Sequence, residues 1–398
     1  MENISKNLSS SNNSGKRVRN VFVIYTGGTI GMVENTDGVL TPKKGAFEKL
    51  VRSYAQLHDV NEYERLCKTG FNKDFIVLPE IKEMGVRIHY KMYEYDNLLD
   101  SSNVAEEEWI KMAEDVKNNY NDYDGFVILH GTDTLTYTAS ALSFMLENLN
   151  KAVILTGSQI PIFESRSDGT DNFVSSLIIA GGLNIPEVAV FFGTKLFRGN
   201  RIRKISANEF YAFNSPNYPP LVEVGVGIKV NESAVLRLTT CSEVRVQAPW
   251  PDTVTFLRLF PNISDALIKA TFKPPVKGVV LESYGAGNTP TNRPILLEEI
   301  RNACNNGVIV VNITQCFNGF VGEPVYETGQ AIADYVVPGY DMTPEAALTK
   351  LSYVLSRNDL SYVDKKKMMK NSIRGELSQT TSETPKAFAR LSNGDRNI

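Results

Sequence analysis

The feature that most constrains this chain is a phrase it repeats: a continuous apolar run of strand length, cut off by a turn of Thr, Gly, Ser and Asp. Val21–Tyr25 ends in Thr26-Gly27-Gly28-Thr29-Ile30-Gly31, Phe126–Leu129 in His130-Gly131-Thr132-Asp133-Thr134, Val153–Leu155 in Thr156-Gly157-Ser158-Gln159, and Val188–Phe192 in Gly193-Thr194. Runs that are continuous rather than alternating belong to strands covered on both faces, as in a parallel sheet. Between two of them Leu135, Ala139, Leu142, Leu146 and Leu149 recur at spacings of 3 and 4, which predicts a helix over 135–149. Strand, short polar turn, helix, strand is the α/β pattern.

The phrase lapses and then returns. Prolines at 216, 219, 220, 249 and 251 punctuate residues 195–252, where 224–230 reads as extended, and 231–255 reads as a linker. Beyond it Val279–Leu281 runs into Glu282-Ser283-Tyr284-Gly285-Ala286-Gly287-Asn288, and Val308–Val311 into Asn312-Ile313-Thr314-Gln315-Cys316. Thr343 before Pro344 is a helix start, predicting a helix to about Ser356. The expected organisation is a polar disordered arm at 1–18, a larger α/β domain at 19–230, the linker at 231–255, a smaller α/β domain at 256–376 and a polar tail at 377–398.

Composition removes several classes of function. Lys plus Arg (42) nearly balances Asp plus Glu (45), so there is no general attraction for nucleic acid or an anionic membrane. No apolar run reaches the ~18 residues of a membrane-crossing helix, and the first residues lack the apolar centre of a secretory signal. The cysteines at 67, 241, 304 and 316 are widely spaced, which suits a reducing, cytoplasmic setting. Three histidines, at 58, 89 and 130, argue against a His-rich metal site; no metal or cofactor is expected.

Ligands of open α/β sheets bind beyond the carboxyl ends of the strands, which puts the chemistry in the turns. The 26–31 turn matches neither GxGxxG nor GxxxxGK[ST]. It is either a plain tight turn or a loop presenting the Thr29 hydroxyl as a nucleophile, which would need an activating partner. Asp133 either caps the helix that follows or works beside Thr132. A basic partner would come from Lys195, Arg198, Arg201, Arg203 or Lys204, most of which should simply stay solvated.

Taken together and in order, these pieces resemble the bacterial-type L-asparaginases, and within them the type I cytoplasmic branch with its animal members. The resemblance rests on Tyr25–Met32, Asp100-Ser101-Ser102, Asp124–Thr134, Arg198-Gly199-Asn200-Arg201 with Lys204 beyond, Ser283–Asn288 and Asn312–Cys316, and covers about residues 20–376. It implies a two-domain asparaginase-like fold and hydrolysis of L-asparagine to L-aspartate and ammonia through a threonine-linked acyl-enzyme. By position it implies Thr29 as nucleophile, with Thr132, Asp133 and Lys204 as the second catalytic group. It further implies that Gly28, Asp100, Ser101, Ser102, Gly131, Thr132 and Asp133 surround the substrate. Asn288 would join them from a partner subunit, in a homotetramer built from intimate dimers.

Two departures from the family pattern stand out. Many bacterial members carry a lid tyrosine about ten residues after the nucleophile; here that place is Val39, and Tyr326, or less well Tyr25, is the expected substitute. Where bacterial type I enzymes use an effector-binding arginine before the SYGxGN stretch, this chain has Glu282, whose charge would repel an effector carboxylate. The stretch 58–87 is longer than in compact relatives and reads as a surface excursion or an oligomer contact. Rival readings are a mixed glutaminase-asparaginase, since one methylene is discriminated by only ~1–3 kcal/mol, and a catalytically silent asparagine sensor. A lysophospholipase ranks low, for want of a GxSxG elbow.

Overall fold

The structure, a computed structural model, describes residues 17–34, 36–82, 84–237, 242–248, 250, 253–322 and 327–378. The apolar runs become strands of a nine-stranded sheet. These are β1 (Arg17–Gly27), β2 (Phe75–Val77), β3 (Val86–Leu99), β4 (Gly125–Leu129), β5 (Val153–Thr156), β6 (Val188–Phe192), β7 (Lys195–Arg198), β8 (Val222–Val224) and β9 (Ile228–Val230), in the order β9-β8-β7-β6-β5-β4-β1-β3-β2. The central five, β3, β1, β4, β5 and β6, are parallel; both margins are antiparallel. Helices α1 (Glu106–Asn118) and α2 (Leu135–Met145) lie on one face and α3 (Gly169–Gly182) on the other. Successive side chains of β1 divide between them: Phe22 and Ile24 join the core under α1 and α2, while Val21, Val23 and Tyr25 join the core under α3. Burial on both faces is why these runs are apolar throughout.

A second, wholly parallel sheet holds β10 (Val254–Arg258), β11 (Gly278–Ser283), β12 (Ile309–Thr314) and β13 (Val337–Pro338) in sequential order. Helices α4 (Pro294–Asn305), α5 (Pro344–Ser356) and α6 (Tyr362–Lys370), with shorter helices at Asp265–Thr271 and Glu327–Ala333, belong to the smaller domain. Thr343 caps α5 as expected, its hydroxyl accepting from the Ala346 amide at 3.1 Å. Helix α5 packs on α2, and the core under α1 and α2 continues through this contact to Val280, Val311 and Leu351. The hydroxyls of Ser140 and Thr349 meet at 2.8 Å across it.

The structure departs from the sequence expectations where tertiary pairing overrides local pattern. The helix expected to reach 149 stops at Met145, because Leu146–Glu147 turns extended to pair with Arg245–Val246. The expected linker is thereby pinned to the larger domain, and Trp250 is buried edge-on against Trp109. Strand β1 starts at Arg17, inside the expected arm, and β10 starts inside the expected linker. Residues 222–224 and 228–230 form a hairpin rather than one extended piece. The 58–87 stretch supplies helix Val60–Cys67 and the edge strand β2, so it is woven into the sheet. At the other end Leu377 is buried and the Ser378 amide donates to Asp341 at 2.8 Å, so the first residues of the expected tail are tied down.

Candidate active site

Strand register brings the polar turns together. Tyr25 is level with Leu129, and Leu129 with Thr156, so the loops after β1, β4 and β5 leave the sheet side by side. The Thr26 hydroxyl donates to the Leu129 carbonyl at 2.9 Å, and the Ile162 amide, beyond β5, donates to the Ile30 carbonyl at 2.9 Å. Gly28, with φ +85°, approaches Gly131 so closely that a Cβ on it would lie 2.5 Å from the Gly131 Cα. Only a residue with no side chain combines that φ with that approach. The residue after Gly28 is Thr29, half-buried at the head of a single 3₁₀ turn; the residue after Gly131 is Thr132.

Lys204 meets the second of these loops. It sits in the two-residue strand Arg203–Lys204, paired with Phe213–Asn214, and its Nζ stands 2.9 Å from Thr132 Oγ1 and 2.7 Å from Asp133 Oδ1. An ammonium has only donors, so Thr132 Oγ1 accepts from it. The Thr132 proton is directed to Gln159 Oε1 at 3.4 Å, while Gln159 Nε2 donates to the Glu209 carbonyl at 3.1 Å. Gln159 is itself held by its backbone amide, which donates to both oxygens of buried Asp168 at 3.0 and 3.1 Å. Burial pushes the Asp168 pKa up, against the hydrogen bonds that stabilise its charge. Gln159 belongs to the polar turn Thr156-Gly157-Ser158-Gln159 and is not among the site residues expected from sequence. Its position in the turn after a strand was the available signal.

Of the two roles open to Asp133, helix capping is not the one adopted: the N-cap of α2 is Thr134, without a side-chain cap bond. The Asp133 carboxylate faces Lys204 instead. Asp100, Ser101 and Ser102 divide differently. Asp100 accepts from both the amide and hydroxyl of Ser102, at 2.9 and 2.8 Å, which caps their own 3₁₀ turn and lowers the Asp100 pKa. Ser101 is buried and touches the Thr132 loop: its Oγ accepts from the Asp133 amide at 3.3 Å and its carbonyl from Thr134 Oγ1 at 2.6 Å.

His130 is structural. Its Nδ1 lies 2.7 Å from the Gly131 carbonyl, which can only accept, so Nδ1 carries the proton and Nε2 accepts from the Thr138 hydroxyl at 3.0 Å. Complete burial lowers its pKa to about 4. The five candidate cations also separate. Lys195 is exposed, Arg203 approaches Glu345 at 3.8 Å, and Arg198 and Arg201 are buried against backbone carbonyls; only Lys204 reaches the threonine loop.

The remaining candidates make no hydrogen bond to this cluster where the structure describes them. Tyr25 is buried, stacked on Phe47 with ring centroids 4.5 Å apart, and its hydroxyl has no partner among the described residues. Tyr326 falls outside the described residues. Asn288 is tied within its own domain, its Oδ1 accepting from the Thr328 hydroxyl at 3.0 Å. Glu282 is buried and paired with Arg258 at 3.1 Å; burial is the main cause of its raised pKa.

Comparison with known proteins places the chain in a family. The model of the family described as Asparaginase, N-terminal matches residues 20–236, and that of the Glutaminase/Asparaginase C-terminal domain matches 253–369. The chain is 44% identical over 364 residues to the L-asparaginase of Dirofilaria immitis, covering 91% of this chain and 61% of that protein. It is also 44% identical over 366 residues to the 60 kDa lysophospholipase of Homo sapiens, covering 92% of this chain and 62% of that one. The chain thus spans about three fifths of the length of these two relatives. The crystal structure of L-asparaginase I from Vibrio cholerae superposes with a TM-score of 0.77 at 42% identity, covering 91% of this chain and 99% of that one. With both halves matched in order and a solved relative equivalent over its whole length, this chain belongs to the asparaginase family.

Proposed function

We propose that this chain hydrolyses L-asparagine to L-aspartate and ammonia through a covalent ester on Thr29. The observation that carries the reading is the pairing of Lys204 Nζ with Thr132 Oγ1, 2.9 Å apart, beside the loop that bears Thr29. Thr29 Oγ1 bonds to the side-chain amide carbon. Its proton passes to the departing nitrogen, the C–N bond breaks, and ammonia leaves a β-aspartyl ester. Water then attacks the ester, gives a proton back to Thr29 Oγ1, and aspartate departs. Tyr326 relays the Thr29 proton at the outset, its phenol oxygen accepting from Thr29 Oγ1 as its own O–H proton passes on toward the departing nitrogen, and Lys204 manages protons through Thr132. The Thr132 main-chain N–H donates to the oxyanion, an interaction typically worth ~3–4 kcal/mol in the transition state.

Binding is read the same way. Asp133 receives the α-ammonium, and the Ser101 hydroxyl, whose proton is left over by its acceptor bond from Asp133, holds the α-carboxylate. Gly28 and Gly131 let the backbone close around the substrate, with Asp100 and Ser102 shaping the wall. Asn288 comes from a second copy of the chain, in a homotetramer of intimate dimers working in the cytoplasm.

Ammonia release from asparagine, glutamine and buffer alone, by wild type and Thr29→Ala, tests the reading. Release from asparagine that is lost in Thr29→Ala supports it. Equal release from both proteins removes the nucleophile assignment, and none from wild type favours a sensor. Fatty-acid release from lysophosphatidylcholine is the arm that tests the lysophospholipase alternative.

A further inference from the structure

The segment that follows α6 returns from the smaller domain and grips the Arg198–Arg201 turn. Asn200 Nδ2 donates to the Arg374 carbonyl at 3.0 Å, and Arg201 Nε to the Gly375 carbonyl at 2.7 Å, with Arg198 Nη1 on the same oxygen at 3.3 Å. Arg201 also reaches Ser378 Oγ at 3.0 Å and Asp341 at 2.8 Å. Arg198 is held from the other side by buried Glu187 at 2.5 Å. Both guanidiniums are almost completely buried, so these contacts are what compensates their lost hydration. Gly375 has φ +74°, and a Cβ on it would lie 2.7 Å from the Arg198 Cζ.

The gripping segment is in turn fixed to α5. Lys350 and Glu376 form a 2.5 Å ion pair with no solvent exposure on either side. Lys350 Nζ also donates to the Met369 and Asn371 carbonyls, at 3.0 and 2.7 Å. The Glu376 carboxylate accepts from the Ile373 and Arg374 amides. One helix therefore references both halves of the Thr132–Lys204 pair. Thr349 meets Ser140 on α2, the helix that the Thr132 loop opens, and the adjacent Lys350 holds the segment gripping the turn three residues before Lys204. Glu345, earlier on the same helix, faces Arg203.

We propose that residues 373–378 form a positioning clasp, with Gly375 acting through Arg198 and Arg201, and Ser378 through Arg201, to set where Lys204 stands relative to Thr132. The catalytic consequence rests on the asparaginase reading; the mechanical one does not. Two variants of the full chain test it: Gly375→Ala, whose Cβ would strike the Arg198 guanidinium and so shift the carbonyl that Arg198 and Arg201 share, and the milder Ser378→Ala, which removes a direct partner of Arg201. Ile300→Ala, in the separate core between β11 and α4, controls for lost stability.

Hydrogen exchange read by mass spectrometry should quicken at 199–206 in both clasp variants and stay unchanged at 125–129 and in the control. Unchanged exchange at 199–206 overturns the clasp whether or not the chain hydrolyses asparagine. In kinetics, kcat for asparagine should fall about tenfold to a hundredfold in the clasp variants, with KM little altered, as expected when a proton-handling group is displaced by a fraction of an ångström. Placed on a Lys204→Met background, the same substitutions should cause no further loss; losses that multiply overturn the proposal. Absence of ammonia release from wild type counts against the amidohydrolase reading, and the exchange arm then decides the clasp alone.

Discussion

Gly131 fills the space that a side chain on Gly28 would need, so the two threonine loops touch through bare backbone. This contact ties two turns that lie about a hundred positions apart in the chain, and the residue following each glycine is a threonine, Thr29 or Thr132, for which a catalytic role is proposed above.

Gly28→Ala should therefore lower kcat/KM by about a hundredfold or more, because it separates the loops as well as straining φ. Gly70→Ala isolates the backbone effect. Gly70 has φ +87° with nothing within 4 Å of a built Cβ, so that variant should lose about 1 kcal/mol of stability and keep its kcat. Steady-state ammonia kinetics and thermal melts distinguish the two; wild-type kcat/KM in Gly28→Ala would show that the contact does not matter.

Lys204 and Asp133 should separate by kinetic parameter. Lys204→Met keeps the stem and removes the proton-handling group; kcat should fall on the order of 10²–10⁴-fold. Asp133→Asn should chiefly raise KM, since its carboxylate is the group assigned to the substrate ammonium. A KM effect from Lys204→Met with kcat intact would reverse these assignments.

Stability should carry the signature of His130. Its pKa falls from an ordinary 6.5 to about 4 on folding, so the unfolded chain binds the extra proton between those values. Its contribution is fully present above 6.5 and is lost as the pH falls toward 4. From pH 7 to pH 5 the loss is about 2 kcal/mol. Urea midpoints of wild type and His130→Gln at the two pH values check this. The variant is less stable at pH 7, having lost the imidazole's hydrogen bonds, but its midpoint should change less between them.

Glu282 predicts the shape of the saturation curve. A buried carboxylate already paired with Arg258 offers an incoming α-carboxylate repulsion rather than an anchor. Rate against asparagine concentration should be hyperbolic, with a Hill coefficient of about 1. A sigmoidal curve would place an effector site elsewhere.

The parallel core was legible because its strands are buried twice over. A run such as Phe126–Leu129, covered on both faces, must be apolar at every position, and that is visible without knowing its neighbours. The antiparallel margin was not. Val222–Val224 and Ile228–Val230 are three residues each, too short for their alternation to stand out, and take their identity from pairing with each other and, for the first, with β7. The end of α2 was misplaced for a similar reason: Leu146 keeps the helical spacing, yet its backbone is claimed by Val246.

Residue types in turns announce chemistry, because Thr, Asp and Lys carry groups whose reactivity is intrinsic, and Thr29, Thr132, Asp133 and Lys204 were nameable on that ground together with their resemblance. What each charge faces is a different matter, since it depends on atoms contributed from far along the chain. Arg198, Arg201 and Lys204 are indistinguishable as basic residues in a row. Folding buries the first two against the carbonyl of Gly375 and leaves the third beside Thr132, because burial of a guanidinium requires acceptors, and these come from far along the chain: the returning C-terminal segment together with Glu187, the Ala234 carbonyl and Asp341.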